Sequence, residues 1–220
     1  TSNFGVDFTG ANQRRFDRNW GTGNRINNPN QLTVVDGRFQ TLTFSNFATY
    51  TKSFNEHHFI FLIGTEAIKV QNYEVNASEK NFPDQTSGLT YLGNGLGQRV
   101  IREYKAGNAL LSYFGRINYD LQEKYLFSVT LRRDGSSRFG ADTRWGTFYA
   151  GSVGWRIDKE AFLSNSNFID RLLLRAGYGS IGNQEIGDYP FTDMINAGYN
   201  YPFGEVKSTG YAVSNLGNNI

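Results

Sequence analysis

Apolar and polar residues alternate along much of this chain. Between Tyr125 and Asp134, the residues Tyr125, Phe127, Val129 and Leu131 fall on one face of an extended backbone, and Ser128, Thr130 and Arg132 fall on the other. Phe148 to Ile157 repeats the pattern: Tyr149, Val153, Trp155 and Ile157 oppose Ser152 and Arg156, with Gly151 and Gly154 one on each face. Arg171 to Ser180 sets Leu172, Leu174, Ala176 and Tyr178 against Arg175, Gly177 and Gly179, with Leu173 as an exception. The clearest case is Ala109 to Leu121, where Ala109, Leu111, Tyr113, Ile117, Tyr119 and Leu121 alternate with Ser112, Arg116, Asn118 and Asp120; Leu110 and Phe114 break the polar face. A period of two predicts strands with one face suited to an apolar medium and one to water.

Two further strands are predicted upstream. Gln40 to Phe54 carries Leu42, Phe44, Phe47 and Tyr50, and its alternation slips near Asn46, the mark of a bulge or a change of face. His58 to Tyr73 opens on the apolar run Phe59-Ile60-Phe61-Leu62-Ile63, and Asn55-Glu56-His57 joins the two as a hairpin. The polar, irregular segments Thr1 to Asn30, Asn72 to Asn108 and Gly182 to Ile220 read as loops. Asp158 to Leu163 reads as one helical turn with Asp158 at its N-cap. The connections are short after Phe54, long after Tyr73, short after Leu121, longer after Asp134, compact after Ile157 and long after Ser180. Short and long ends thus fall on opposite sides, the asymmetry of an outer-membrane barrel rather than of a soluble sandwich. Strands of about ten residues, tilted by about 45°, also match the apolar thickness of such a membrane.

Composition agrees with strands and turns: 15% aromatic residues, and 25 glycines against 4 prolines. A net charge of +2, from 22 Lys+Arg and 20 Asp+Glu, gives no electrostatic reason to expect nucleic-acid binding. With no cysteine, disulfides, thiolate metal sites and cysteine nucleophiles are excluded. No run approaches the ~18 apolar residues of a membrane-spanning helix. A mean hydropathy of −0.49 still suits membrane strands, whose apolar residues come at every second position. The start, Thr1-Ser2-Asn3-Phe4-Gly5, lacks a charged region followed by an apolar one, so the chain is expected either to be cytosolic or to have lost its beginning.

Several motifs in order carry a specific resemblance. Tyr125-Leu126-Phe127-Ser128-Val129-Thr130-Leu131-Arg132-Arg133-Asp134-Gly135-Ser136-Ser137-Arg138-Phe139-Gly140, then Arg144-Trp145-Gly146-Thr147-Phe148, resembles the signature of SusC/RagA-type TonB-linked outer-membrane transporters. So do Gly154-Trp155-Arg156-Ile157 with Phe162-Leu163, and Leu172 to Gly179 ending in Gly182-Asn183-Gln184. The likeness spans about Ala109 to Asn183, and the hairpin Phe47 to Gly64 also fits. It implies an all-β fold, an antiparallel transmembrane β-barrel of which this chain supplies about six strands of 22. On that expectation residues 1–220 are part of one barrel domain, with signal peptide, plug and C-terminal strands absent. Six strands cannot close so wide a barrel, and both edges would present unpaired backbone groups. The resemblance also implies a location in the outer membrane of a Gram-negative bacterium, no cofactor and no enzymatic activity. Its partners would be outer-membrane lipid, a SusD-like surface lipoprotein, TonB acting through the N-terminal plug, and an oligosaccharide or peptide substrate.

Under that reading Arg116, Asp120, Arg132, Arg156 and Arg175 face the lumen, as wall ion pairs and solvated surface or as contacts to plug and substrate. The loop aromatics Tyr91, Tyr199 and Tyr201 are candidates for stacking on sugar rings, with ordinary loop packing as the alternative. Tyr113, Tyr119, Tyr125, Tyr149 and Trp155 are candidates for interfacial aromatic girdles. Other signals are weaker. His57 and His58 are adjacent and would point to opposite faces, with no third ligand for zinc. The Gly93 to Gly97 cluster lacks the strand and helix of a phosphate loop. Glu185, Asp188 and Asp193 form a candidate carboxylate set in a loop without a defined pocket. Two other classes compete with an energised importer: a soluble β-rich carbohydrate-binding or hydrolytic domain, and a passive porin.

Overall fold

Strands dominate the structure, a computed structural model. It describes residues 1–22, 25–86, 88–163, 168–203 and 206–217, and for residues 25, 26, 194, 198, 201–203, 206–209 and 215 the backbone alone. In chain order these are β1 (Ser2–Asp17), β2 (Trp20–Thr22), β3 (Arg25–Asn27), β4 (Gln31–Phe54), β5 (His57–Lys80), β6 (Arg99–Leu121), β7 (Tyr125–Ser136), β8 (Trp145–Arg156), β9 (Leu173–Gly179), β10 (Met194–Phe203) and β11 (Val206–Asn215). Seven form one sheet in the order β1-β4-β5-β6-β7-β8-β9, while β2-β3 and β10-β11 are separate hairpins. The alternating patterns read from sequence are thus strands, paired antiparallel from β6 through to β9.

Three expected loops are corrected. Thr1 to Asn30 contains the 16-residue strand β1 and the β2-β3 hairpin. Asn72 to Asn108 shrinks to residues 81–98, because β5 runs to Lys80 and β6 begins at Arg99. Gly182 to Ile220 holds the β10-β11 hairpin, with Ile195 opposite Val213 and Tyr199 opposite Gly210. Apolar alternation marks only a strand with one clearly apolar face: in β1 it is confined to Phe4, Val6 and Phe8, in β10 it is set among Asn and Gly, and pairing through backbone N–H and C=O groups continues regardless of these side chains. The helical turn is a short 3-10 turn, Ile157–Lys159, preceded by Arg156 without a side-chain cap. Asp158 binds the Arg156 guanidinium at 2.6 Å instead of capping a helix. Gln31 to Phe54 is one unbroken strand across Asn46.

The tight turns follow local chemistry. Gln122 and Glu123 adopt φ of +58° and +54°, and the Lys124 N–H donates to the Leu121 carbonyl at 3.0 Å, the left-handed geometry that suits a right-twisted hairpin. Asn55 at φ +50° serves the same purpose between β4 and β5.

The chain divides into two compact units: Thr1–Phe4, Thr43–Ile68 and Asn108–Ile220; and Gly5–Leu42 with Lys69–Gly107. The second has a small core, holding Leu32, Ala77 and Phe82, with Phe16 edge-on to Phe82 at 5.4 Å. Asn30 fixes this end by reciprocal bonds: its Nδ2 donates to the Phe82 carbonyl at 3.0 Å and its Oδ1 accepts the Phe82 N–H at 2.7 Å. The first unit buries no apolar side chain among the described residues. The whole chain exposes 16132 Å². A globular protein of 24.8 kDa would expose about 10,000 Å².

Candidate functional site

Register assigns each side chain of the first unit to a face. On one face, cross-strand rows run Tyr119, Phe127, Val153, Ala176; then Ile117, Val129, Gly151, Tyr178; then Gly115, Leu131, Tyr149. On β6 to β9 this face carries no charge between the bounding rows, while on β4 Lys52 shares the parity of Tyr50 and Phe54. The apolar members of the rows are open, Val129 at 59% and Leu131 at 56% exposure. At ~1.5–3 kcal/mol per large apolar side chain, leaving the large apolar members of these rows in water forgoes about 12–24 kcal/mol, as much as the ~5–15 kcal/mol by which an ordinary domain is stable or more.

Aromatic rows bound the band. At the short-turn end Tyr125 pairs with Trp155. Both are tied to Glu160, whose Oε1 accepts the Tyr125 hydroxyl at 2.7 Å and the Trp155 indole N–H at 3.0 Å. Those two donors, in that order, hold the Glu160 carboxyl below the usual range against the opposing push of desolvation. Beside them Phe54, His57, Phe59, Phe61, Tyr119 and Phe127 form a chain of stacked rings, with Phe59 and Tyr119 only 4.5 Å apart. At the other end Tyr113 stacks on Trp145 at 6.1 Å, and the Arg133 guanidinium lies 5.3 Å from the Trp145 ring. From Tyr125 to Arg133 or Gly135 is about 26–33 Å along the strand, or about 20–25 Å along an axis tilted by about 40°. That height matches the ~25 Å apolar band of an outer-membrane barrel. The predicted girdle residues therefore divide: Tyr125 and Trp155 hold one boundary, Tyr119 stands next to it, Tyr113 holds the other, and Tyr149 lies within the band. Phe54, His57, Phe59 and Trp145 were not foreseen, although the run after His58 signalled an apolar strand.

The opposite face is a polar network. Arg132 binds Asp134 at 2.7 Å and Ser112 at 2.9 Å, lies 3.6 Å from Glu66 and sits 5.7 Å from the centre of the Phe114 ring. Arg116 donates to Thr130 at 3.1 Å, and Ser128 donates to Asn118 at 2.8 Å. Asp120 accepts the Glu123 N–H at 2.7 Å, closing the turn. Arg175 lines a hollow of about 350 Å³ with His58, Asn118, Asp120, Ser128 and Ser152. Among the described residues no side-chain hydrogen bond or ion pair of Arg175 is seen.

The loops order themselves through buried polar contacts. In the second unit Glu79 is buried; it accepts the Gly93 N–H at 2.5 Å and the Arg99 guanidinium at 2.8 Å. Burial pushes its carboxyl up, and the Gly93 N–H, the Arg99 guanidinium and the Gly95 N–H outweigh that, leaving it below the usual carboxylate range. A Cβ on Gly95 would stand 2.6 Å from the Lys80 carbonyl and 2.7 Å from Glu79 Cγ. The glycine cluster is therefore a nest for the chain's own carboxylate. On this loop Tyr91 is 58% exposed, and Arg14 lies 5.3 Å from its ring while donating to Thr90.

The remaining candidates do not converge. Tyr199 is half-exposed on β10, in the other unit, and the Tyr201 side chain lies outside the described residues. Asp188 accepts from Arg138 and from Asn108, each at 3.0 Å. Asp193 accepts the Gly217 N–H at 2.7 Å, and Glu185 is solvent-exposed 3.9 Å from Arg138. These carboxylates serve as loop fasteners. His57 binds the Tyr119 hydroxyl at 2.8 Å and His58 binds Ser53 at 2.6 Å. No cluster of metal-ligating side chains occurs among the described residues.

No family model matches the chain. TonB-dependent receptor SusC of Bacteroides thetaiotaomicron is 38% identical over 168 residues, covering 74% of this chain and 16% of that receptor. TonB-dependent receptor P39 of Formosa agariphila is 33% identical over 209 residues, covering 87% of this chain and 19% of the receptor. In a solved structure of the RagAB peptide transporter, one chain superposes with a TM-score of 0.86 at 27% identity, over 99% of this chain and 24% of that one. This chain thus spans less than a fifth of the length of these curated relatives. With its motifs in order, its strands in antiparallel register and its uncovered apolar face, the chain belongs to the SusC/RagA family of TonB-dependent receptors, as a partial stretch of their β-barrel.

Proposed function

We propose that this chain is wall and external loop of an outer-membrane importer that works with a surface lipoprotein of the SusD type and is driven through TonB. The single observation that carries the reading is the apolar band, uncharged across β6 to β9, about 20–25 Å high and closed by aromatic rows, on a face the chain itself leaves uncovered. Lipid would cover that face, and the opposite network around Arg132, Arg116 and Asp120 would line a wet interior. The mechanism is binding followed by energised release, with no covalent chemistry. The proposed cargo class is an oligosaccharide or peptide, as the family resemblance implies; the solved neighbour is a peptide transporter. Tyr91 on its loop, with Arg14 against its ring, and Tyr199 on β10 are the exposed aromatics that would meet such a cargo.

Uptake of labelled oligosaccharide and peptide pools by cells with and without the gene tests this. An importer gives gene-dependent uptake that an uncoupler of the proton gradient abolishes. Gene-dependent uptake that survives the uncoupler would indicate a passive porin, and uptake independent of the gene would end the transport reading.

A further inference from the structure

The lipid-side face is not evenly filled. A hollow of about 920 Å³ opens on it, lined mainly by apolar side chains such as Ile63, Ile117, Val129 and Leu131, with Gly115 among them and Ser2, Asn46 and Arg133 as polar members. A side chain at Gly115 would find space, since an added Cβ meets nothing nearer than the Leu62 carbonyl at 3.6 Å. Gly64 differs, because there a Cβ would collide with the Phe114 ring at 2.5 Å. Packing within the chain therefore requires glycine at 64 and leaves 115 free; what glycine does at 115 is keep the hollow open.

Arg133 gives the hollow a polar end. It lies in the same row as Tyr113 and on the same face as Val129 and Leu131, at the long-loop boundary of the band. It is exposed, rests against the Trp145 ring, and has no carboxylate partner among the described residues. A cation on the lipid face costs ~2–4 kcal/mol at mid-bilayer but only ~0–1 near the interface, where its natural counter-charge is a lipid phosphate. We propose that the hollow over Gly115 seats one acyl chain of a phosphorylated lipid of the outer leaflet, whose phosphate is held by Arg133 against Trp145. An open, mainly apolar hollow whose lining includes a guanidinium at headgroup height, without a carboxylate partner among the described residues, suits an acyl chain with its phosphate better than a water-soluble cargo. The inference rests on the barrel reading of the apolar face.

The test uses the full-length receptor extracted from its membrane, with native mass spectrometry reading lipid retained during titration by diphosphorylated lipid A and by its dephosphorylated form. Wild type retains one diphosphorylated lipid that Arg133→Gln loses by about tenfold, the scale of one charge-assisted hydrogen bond. Gly115→Leu, which fills the hollow, loses both forms. Equal retention by wild type and both variants overturns the seat, and so does loss in Gly115→Leu with none in Arg133→Gln, which would leave an acyl trough without headgroup recognition. A receptor absent from the membrane fraction overturns the barrel reading and this inference with it, so the two failures are distinguishable. Heat-modifiable migration of each variant shows that its barrel has formed, and Arg133→Gln, at an exposed site, keeps the test open if Gly115→Leu does not fold.

Discussion

Glu79 carries two roles that would be hard to tell apart without its geometry. Its carboxylate closes the 81–98 loop by accepting from Gly93 and Arg99, and its pKa is held down in the fold. A lowered native pKa means the unfolded loop binds the proton more readily, so the stabilisation is complete above the usual carboxylate range and fades as pH falls through the lower native value. Hydrogen exchange at the Gly93 and Gly97 amides should show protection at neutral pH, loss of it in acid, and loss at all pH values in Glu79→Ala. Protection unchanged in that variant would contradict the nest. Gly64 offers a steric counterpart. Gly64→Ala sets a methyl 2.5 Å from the Phe114 ring and 2.9 Å from the Asn46 carbonyl, and should cost about 1–3 kcal/mol in unfolding of the full receptor, whereas Gly115→Ala should stay within about 0.5 kcal/mol. At this scale the sequence is only partly legible. Arg132 on the polar face follows from parity, yet its partners Glu66 and Ser112 sit on other strands and emerge only with register. Glu79 looks like any exposed loop charge until the glycines are seen to point their N–H groups at it.

The strands show where periodicity stops being informative. β4, β5 and β6 run for 24, 24 and 23 residues, about 75–80 Å each, while an apolar band of ~25 Å accounts for about ten of them. Alternation marks His58 to Tyr73 and Ala109 to Leu121 clearly and is weaker over Asn72 to Lys80 and Arg99 to Asn108, where Tyr73, Val75 and Ala77 alternate among charged and amide residues and Val100 and Ile101 fall on both faces. In β1 the alternation is too short to stand out: Phe4, Val6 and Phe8 alternate at its start, and Gly10 to Arg15 do not continue it. The β10-β11 hairpin was legible in the period-two run Ile195, Ala197, Tyr199, Tyr201, Phe203, hidden by its Asn and Gly neighbours. Inside the band, parity makes a sharp forecast. Val129→Arg should destabilise the receptor in bilayers by about 2–4 kcal/mol, and Thr130→Arg, one residue on and facing the polar network, by less than half as much. Urea unfolding of both variants in the same vesicles compares them directly, and equal costs would contradict the assignment of faces.

For the chain as a whole, the decisive property is surface that its own residues do not cover. An exposed area of 16132 Å², and a unit of more than half the chain with no buried apolar side chain among its described residues, leave a sheet with β1 and β9 at its edges and one uncovered apolar face, which on the proposed reading further barrel strands and lipid complete. Expressed alone, the 220-residue chain should stay in solution only with detergent or lipid, and a detergent-free monomer by light scattering would favour the soluble-domain alternative. The family was legible from ordered motifs because those motifs combine strand parity with turn chemistry. The cargo is not, since neither Tyr91 on the 81–98 loop nor Tyr199 on β10 lies in a pattern that distinguishes a cargo contact from ordinary packing.

A spin-label scan along Tyr125 to Ser136 in the full-length receptor, reconstituted in bilayers, tests the central claim most directly. Labels at 127, 129 and 131 should relax with lipid-soluble oxygen and not with a water-soluble nickel chelate, and labels at 128, 130 and 132 should do the reverse or report a protein contact. If the 127, 129 and 131 labels are shielded from both reagents, as in a packed protein core, the membrane-wall account is wrong.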